Sequence, residues 1–155
     1  MIEHVIELLK DNGLTIAFAE SMTGGLLSSK MTEIAGVSKV YKGAVVAYTN
    51  DIKNRVLYID HKDIETYGVV SSEIATKMAK SVLRLFNTDI AVGITGDAGP
   101  TLQKDSMKKM VYVAMCTKDR CETFHLSFDK ESRVEAQQLT VQMTIKKLEL
   151  FIPKI

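Results

Sequence analysis

The sequence has little of what would mark a disulfide-rich or strongly charged protein. Its two cysteines, Cys116 and Cys121, are too few for a disulfide scaffold and lack the spacing of a metal site, so we expect buried or partly buried free thiols. The 20 basic and 19 acidic residues leave a formal net charge of +1. This balance gives no electrostatic reason to expect nucleic acid or an anionic membrane as a partner.

Long apolar runs are also absent. None approaches the roughly 20 residues that span a bilayer, and the first residues, MIEHVIE, lack the basic start and apolar centre of a signal peptide. We therefore expect a cytoplasmic protein without membrane contact. There is no repeat, low-complexity tract or linker, which predicts one domain over residues 1–155. The motifs GxxxxGK[ST], HExxH and CxxC are missing, so no phosphate loop or metal site of these kinds is expected.

Helical and strand-like segments alternate along the first two thirds of the chain, and a hairpin follows. This order predicts a single three-layer α/β/α domain with a mixed, mainly parallel sheet. Short apolar runs indicate the strands and apolar stripes at helical spacing indicate the helices. The predicted strands are 14–19, 43–49, 89–94, 111–116 and 122–128, and the main predicted helices cover 2–12, 26–35, 50–57, a segment starting at 71 or 72, and 130–151.

Each of the three strands predicted to be parallel ends in a segment of small and polar residues. These segments are ESMTGG at 20–25, YTNDIK at 48–53 and TGDAGP at 95–100. Because ligands bind beyond the carboxyl ends of parallel strands, the three segments should converge. A serine on such a turn, followed by glycines and helical N–H groups, can be a nucleophile with its oxyanion hole. Equally, Ser21 or Thr23 can simply cap the helix that follows.

A serine nucleophile needs a base. His4, His61 and His125 lie outside the three polar segments and are better explained as structural or solvent-facing. Lys53 lies inside one of them, and a desolvated lysine can have a pKa low enough to act as a base. The alternative is that Lys53 is an ordinary solvated charge.

The motifs AESMTGG, AGVSKVYKGAVVAYTNDIK, YGVVSSE and TGDAGP resemble, in order and spacing, the CinA carboxy-terminal domain family, whose members include nicotinamide-nucleotide amidases. The resemblance covers nearly the whole chain. It implies a three-layer α/β/α fold, often oligomeric, and a serine amidohydrolase that converts nicotinamide mononucleotide to nicotinate mononucleotide and ammonia without a metal or other cofactor. A small-molecule nucleotide substrate and a homo-oligomer are therefore expected.

The resemblance also assigns residues by position. Ser21 matches the nucleophile and Lys53 its base, with Tyr48 beside them. The positions implied to surround the substrate are Thr23, Gly24, Gly25, Ser38, Thr95, Gly96 and Lys130.

Two segments depart from the family pattern. Asp97 stands where the family has an apolar residue, and residues 101–110, TLQKDSMKKM, lack the usual glycines and KPVG. The later GDR pattern becomes Phe128, Asp129 and Lys130, so a bidentate arginine is replaced by a lysine point charge. An amidase for another amide, or a binding module that has lost its chemistry, therefore remain alternatives to nucleotide deamidation.

Overall fold

The computed structural model describes residues 1–97, residue 99 and residues 109–155, and its centre is a five-stranded mixed sheet. In space the strands are ordered β2-β1-β3-β4-β5. The first three strands pair in parallel, and β4 is antiparallel to both of its neighbours. This confirms the mixed sheet and the hairpin. The strands are β1 Ile16–Glu20, β2 Tyr41–Val46, β3 Ile90–Gly96, β4 Lys109–Cys116 and β5 Cys121–Phe128.

Helices cover both faces of the sheet and complete the three layers. One face packs against α1 (Ile2–Asp11), α2 (Leu26–Thr32) and α6 (Arg133–Phe151). The other packs against α3 (Asn50–Leu57), α4 (His61–Tyr67) and α5 (Ser72–Phe86). The predicted fold class is thereby confirmed. None of the helices within the described ranges is long and apolar enough to cross a membrane.

Helix caps explain where the observed boundaries differ from the predicted ones. The Thr49 side chain accepts the Ile52 N–H and begins α3, so β2 ends at Val46 rather than at 49. Asp60 caps α4, a helix that the sequence did not predict because its residues looked like a polar loop. Ser71 caps α5, as predicted.

The buried face of α6 does not follow the apolar residues alone. Val134, which is apolar, is 58% exposed. Thr140 and Thr144 are fully buried instead, and each hydroxyl donates to the carbonyl four residues earlier at 2.7 Å. This local hydrogen bond lets threonine occupy an apolar interface, which a purely apolar pattern cannot anticipate.

The prediction of free thiols was wrong. Cys116 ends β4, Cys121 begins β5, and the two residues are paired directly across the hairpin with their Cα atoms 4.1 Å apart, joined by a disulfide. The tight turn is closed by the Thr117 N–H, which donates to the Arg120 carbonyl at 2.8 Å. Counting cysteines predicts the absence of a scaffold but cannot predict that a turn brings two of them together.

Candidate active site

The turn after β1 carries the predicted nucleophile. Ser21 is 5% exposed and directly follows the fully buried Glu20. Gly24 and Gly25 have φ values of 60° and 96°, a left-handed conformation that glycine adopts without Cβ strain. These two residues reverse the chain so that α2 starts at Leu26. Ser21 is thereby held at the carboxyl edge of the sheet, in the turn between the end of β1 and the start of α2.

Lys53 is in direct contact with this serine. It lies on α3 at 2% exposure, and its Nζ donates to Ser21 Oγ at 2.9 Å and to the Tyr48 carbonyl at 3.1 Å. Burial lowers the pKa of the Lys53 ammonium from 10.5 to about 8. A lysine that loses its proton this readily can take the proton of a neighbouring hydroxyl near neutral pH. The solvated-charge alternative for Lys53 is therefore wrong.

Glu20 fixes the turn from inside the protein. Its carboxylate accepts hydrogen bonds from the Thr23 hydroxyl at 2.8 Å, the Leu27 N–H at 2.9 Å, and both the N–H and hydroxyl of Ser28 at 3.0 and 2.6 Å. A carboxylate that receives the first N–H groups of a helix stabilises that helix end. Glu20 was not among the predicted site residues, although its position directly before Ser21 was a usable signal.

Tyr48 contacts the dyad through its backbone rather than its ring. Its carbonyl accepts a hydrogen bond from Lys53, while its side chain is 55% exposed and its hydroxyl accepts a hydrogen bond from Arg133. The second guanidinium nitrogen of Arg133 donates to the Gly99 carbonyl at 2.7 Å. Arg133 thus bridges the segments after β2 and β3 at the edge where Ser21 lies.

Sequence reasoning missed Arg133 and also Gln137, one helical turn further along α6. The Gln137 side-chain amide donates to the Met22 carbonyl at 2.9 Å. Because β5 ends at the same sheet edge as β3, α6 must begin there, and positions four residues apart share a helix face. A topology argument based on the predicted hairpin could therefore have found both residues.

The remaining assigned residues occupy varied positions. Thr23 is buried in the nucleophile turn with its hydroxyl on Glu20. The Thr95 hydroxyl donates to the Val69 carbonyl at 2.7 Å, and Gly96 packs so closely on β4 that an added Cβ would lie 2.6 Å from the Met110 carbonyl oxygen. Lys130 is exposed beyond the end of β5. Any contact of these four residues with a ligand stays a prediction.

Ser38 is not brought to the dyad within one chain. It lies exposed in a short 3₁₀ turn that precedes β2, whereas Tyr48 and Lys53 follow that strand. A strand of six residues separates its two ends by roughly 17 Å. A role for Ser38 near a substrate stays a prediction.

Histidines and metal ligands take no part in this arrangement. His4, His61 and His125 are exposed, as expected from their positions in the sequence. Among the residues with described placement, no group of three or more histidine, cysteine, aspartate or glutamate side chains could hold a metal ion. The altered segment after Gly99, apart from Lys109 and Met110, lies outside the described residues.

Comparison with known proteins gives consistent matches. The chain is 46% identical over 114 residues to a putative competence-damage inducible protein of Bacillus cereus, a match that covers 74% of this chain and 28% of that protein. A protein of the same description from Natranaerobius thermophilus is 51% identical over 98 residues, covering 63% of this chain and 24% of that protein. The chain thus spans only about a quarter of the length of these curated relatives.

Solved structures share the fold along the whole chain. The competence/damage inducible protein CihA of Agrobacterium tumefaciens superposes with a TM-score of 0.90 at 30% identity, covering 98% of this chain and 93% of that one. A CinA superfamily protein of Klebsiella pneumoniae gives a TM-score of 0.95 at 24% identity, with 99% and 96% coverage. The family model described as CinA C-terminal domain matches residues 1–152. The chain therefore belongs to the CinA C-terminal domain family.

Proposed function

We propose that this protein is a serine amidohydrolase that converts nicotinamide mononucleotide and water to nicotinate mononucleotide and ammonia. The observation that carries the proposal is the contact of 2.9 Å between Lys53 Nζ and Ser21 Oγ, both buried, with the lysine pKa lowered to about 8. A serine hydroxyl becomes a useful nucleophile when a base of this kind adjoins it. The choice of nicotinamide mononucleotide rests on the family resemblance.

In the first half of the reaction, neutral Lys53 takes the proton of Ser21 while Oγ attacks the carboxamide carbon. The carbonyl π electrons move to the oxygen, and N–H groups of the 22–25 turn stabilise the oxyanion. Collapse breaks the C–N bond while the Lys53 ammonium gives its proton to the departing NH₂ group, which leaves as ammonia. The product of this half is an ester on Ser21.

In the second half, water attacks the ester carbon and Lys53 takes its proton. Collapse breaks the bond to Ser21 Oγ, which regains a proton from Lys53, and the acid is released. The cycle consumes one water and one amide and yields one carboxylic acid and one ammonia, so both dyad residues return to their starting states.

Arg133 supports a substrate that carries an anionic group. A guanidinium binds phosphate oxygens through two parallel N–H donors. In this chain its nitrogens donate to Tyr48 and Gly99, two residues at the same sheet edge as the dyad. We propose that Arg133, with Lys130 nearby in the chain, takes the phosphate that the family's GDR arginine would otherwise hold.

We also propose that the protein is a cytoplasmic homo-oligomer. Exposed apolar side chains at the edge strand and after it, Val46 at 47% and Tyr48 at 55%, support a contact between copies. Such a contact could also place Ser38 near the active site of the neighbouring copy. Light scattering of the purified protein tests this, and a monomer at all concentrations would contradict it.

The function is tested by measuring ammonia release from nicotinamide mononucleotide, with nicotinamide and other amides as competitors. Ser21→Ala should lower kcat by about a thousandfold or more while the circular dichroism spectrum stays unchanged. Ser29→Ala, a change of an exposed serine on α2, is the matched control and should retain activity. Hydrolysis of a different amide would indicate another substrate, and saturable binding without ammonia release would indicate a binding module.

A further inference from the structure

The Met22–Thr23 peptide, just after the nucleophile, is held on both sides. Gln137 on α6 donates its side-chain amide to the Met22 carbonyl at 2.9 Å. The Thr23 hydroxyl donates to Glu20 at 2.8 Å. Gln137 therefore holds the carbonyl of this peptide, and Glu20 anchors the residue that carries its N–H.

The carbonyl contact determines where the next N–H points. In a trans peptide the C=O and N–H bonds point in opposite directions. The Met22 carbonyl is directed toward α6, which packs on one face of the sheet. The Thr23 N–H is therefore directed away from α6, toward the face that carries α3 and Lys53.

Among the described residues, this N–H has no backbone acceptor. Glu20 already receives the N–H groups of Leu27 and Ser28 at the start of α2. In the described part of the chain, the Thr23 N–H has no such acceptor. A donor that is fixed in direction, lies two residues after the nucleophile and has no acceptor among the described residues suits an oxyanion hole, where preorganised N–H groups stabilise developing charge.

We infer that Gln137 is a positioning residue: by holding the Met22 carbonyl, it aims the Thr23 N–H at the oxyanion formed when Ser21 attacks a carbonyl. The inference rests on the proposed function, since it needs Ser21 to be a nucleophile. If Gln137 is lost, the peptide is free to rotate and the donor loses its fixed direction. The attack of Ser21 on the substrate carbonyl then slows, whereas contacts between the protein and other parts of the substrate are kept.

The test compares residues at position 137 that can and cannot donate. Gln137→Met keeps the side-chain length without a donor and should lower kcat about tenfold to a hundredfold with little change in KM, less than the 10² to 10³ lost when a donor itself is removed. Gln137→Lys, which retains an N–H donor, should stay within about threefold of the wild type. Gln138→Met, the exposed neighbour on α6, is the matched control. Thermal unfolding of each variant separates this effect from a general loss of stability.

Two reactions keep this inference distinct from the proposed function. One is ammonia release from nicotinamide mononucleotide. The other is acylation of Ser21 by p-nitrophenyl acetate, in which Oγ attacks the ester carbon, Lys53 takes the proton and p-nitrophenolate leaves. Nitrophenolate absorbance gives the rate, and the intact mass with a Ser21→Ala control identifies the acetylated residue.

Acylation that depends on a donor at position 137 supports the inference, even if nicotinamide mononucleotide is not hydrolysed and the proposed substrate is wrong. Equal acylation by Gln137→Met and the wild type overturns the inference, even if the nucleotide is hydrolysed. If neither compound reacts at Ser21 of the folded wild type, both the function and the inference are overturned.

Discussion

The burial of Lys53 predicts a specific pH dependence. Its pKa of about 8 replaces an ordinary value of 10.5 because burial disfavours the ammonium. At pH 7 about one Lys53 side chain in ten is then neutral, against roughly one in 3,000 for a solvated lysine. This is a gain of about 300-fold in the population of the base. We expect kcat/KM to rise about tenfold per pH unit below pH 8 and to level off above it.

The assay combines kinetics with a direct titration. Ammonia release gives kcat/KM between about pH 6 and pH 9.5, and NMR of protein labelled with ¹³C at the lysine ε carbons follows the protonation of Lys53 itself. Lys53→Met assigns the resonance and should abolish turnover. Lys53→Arg should also be inactive because a guanidinium has no neutral form at these pH values. Lys39→Met, at an exposed lysine, should keep the wild-type profile.

The same shift predicts how stability changes with pH. Between about pH 8 and the ordinary pKa of 10.5, the unfolded chain binds a proton at Lys53 that the folded chain has lost. The free energy of unfolding contributed by this group therefore rises with pH across that window, by about 3 kcal/mol in all. Below pH 8 the folded protein carries the full cost of burying the ammonium. The difference between wild type and Lys53→Met in urea unfolding isolates this contribution.

A profile that still rises tenfold per unit at pH 9.5 would refute the reasoning, since it would mean that Lys53 has an ordinary pKa. An unchanged profile in Lys53→Met would refute the assignment of Lys53 as the base. A stability difference that does not vary between pH 8 and 10 would show that burial does not perturb this lysine.

Three further predictions follow from other parts of the molecule. Arg133→Ala should raise the KM for nicotinamide mononucleotide about tenfold to a hundredfold because charge-assisted hydrogen bonds to the phosphate are lost. Lys130→Ala should change the KM less. Equal KM values for the wild type and Arg133→Ala would contradict the phosphate assignment. Reducing the Cys116–Cys121 disulfide should cost about 2 kcal/mol by opening a short loop, measured as a lower Tm with unchanged activity; an unshifted Tm would contradict this. Gly93→Ala should destabilise the fold by about 3 kcal/mol, because its Cβ would overlap the backbone of α5; a Tm within 2 °C of wild type would contradict that.

The layers of the fold could be predicted because local patterns determine them. The short apolar runs at 14–19 and 89–94 became β1 and β3, and the parallel pairing of β1 with both β2 and β3 followed. Convergence of the polar segments was therefore predictable, and the contact between Ser21 and Lys53 confirms it for the first two of the three. Periodicity could not predict α4, whose polar residues are organised by the Asp60 cap and the burial of Ile64.

Contacts between distant parts of the chain account for what was missed. Gln137 and Met22 are 115 positions apart, and only the placement of α6 against the nucleophile turn brings them together. The disulfide depends in the same way on the register of the β4–β5 hairpin. A sequence pattern gives the residue types that chemistry needs, but side-chain partners across elements depend on packing and register.

The most direct test of the account is ammonia release from nicotinamide mononucleotide by the wild-type protein and by Ser21→Ala, measured side by side at about pH 8. The account predicts turnover by the wild type and a loss of about a thousandfold or more in the variant. Equal release by both proteins would contradict the role of Ser21, and no release by the folded wild type would contradict the proposed substrate.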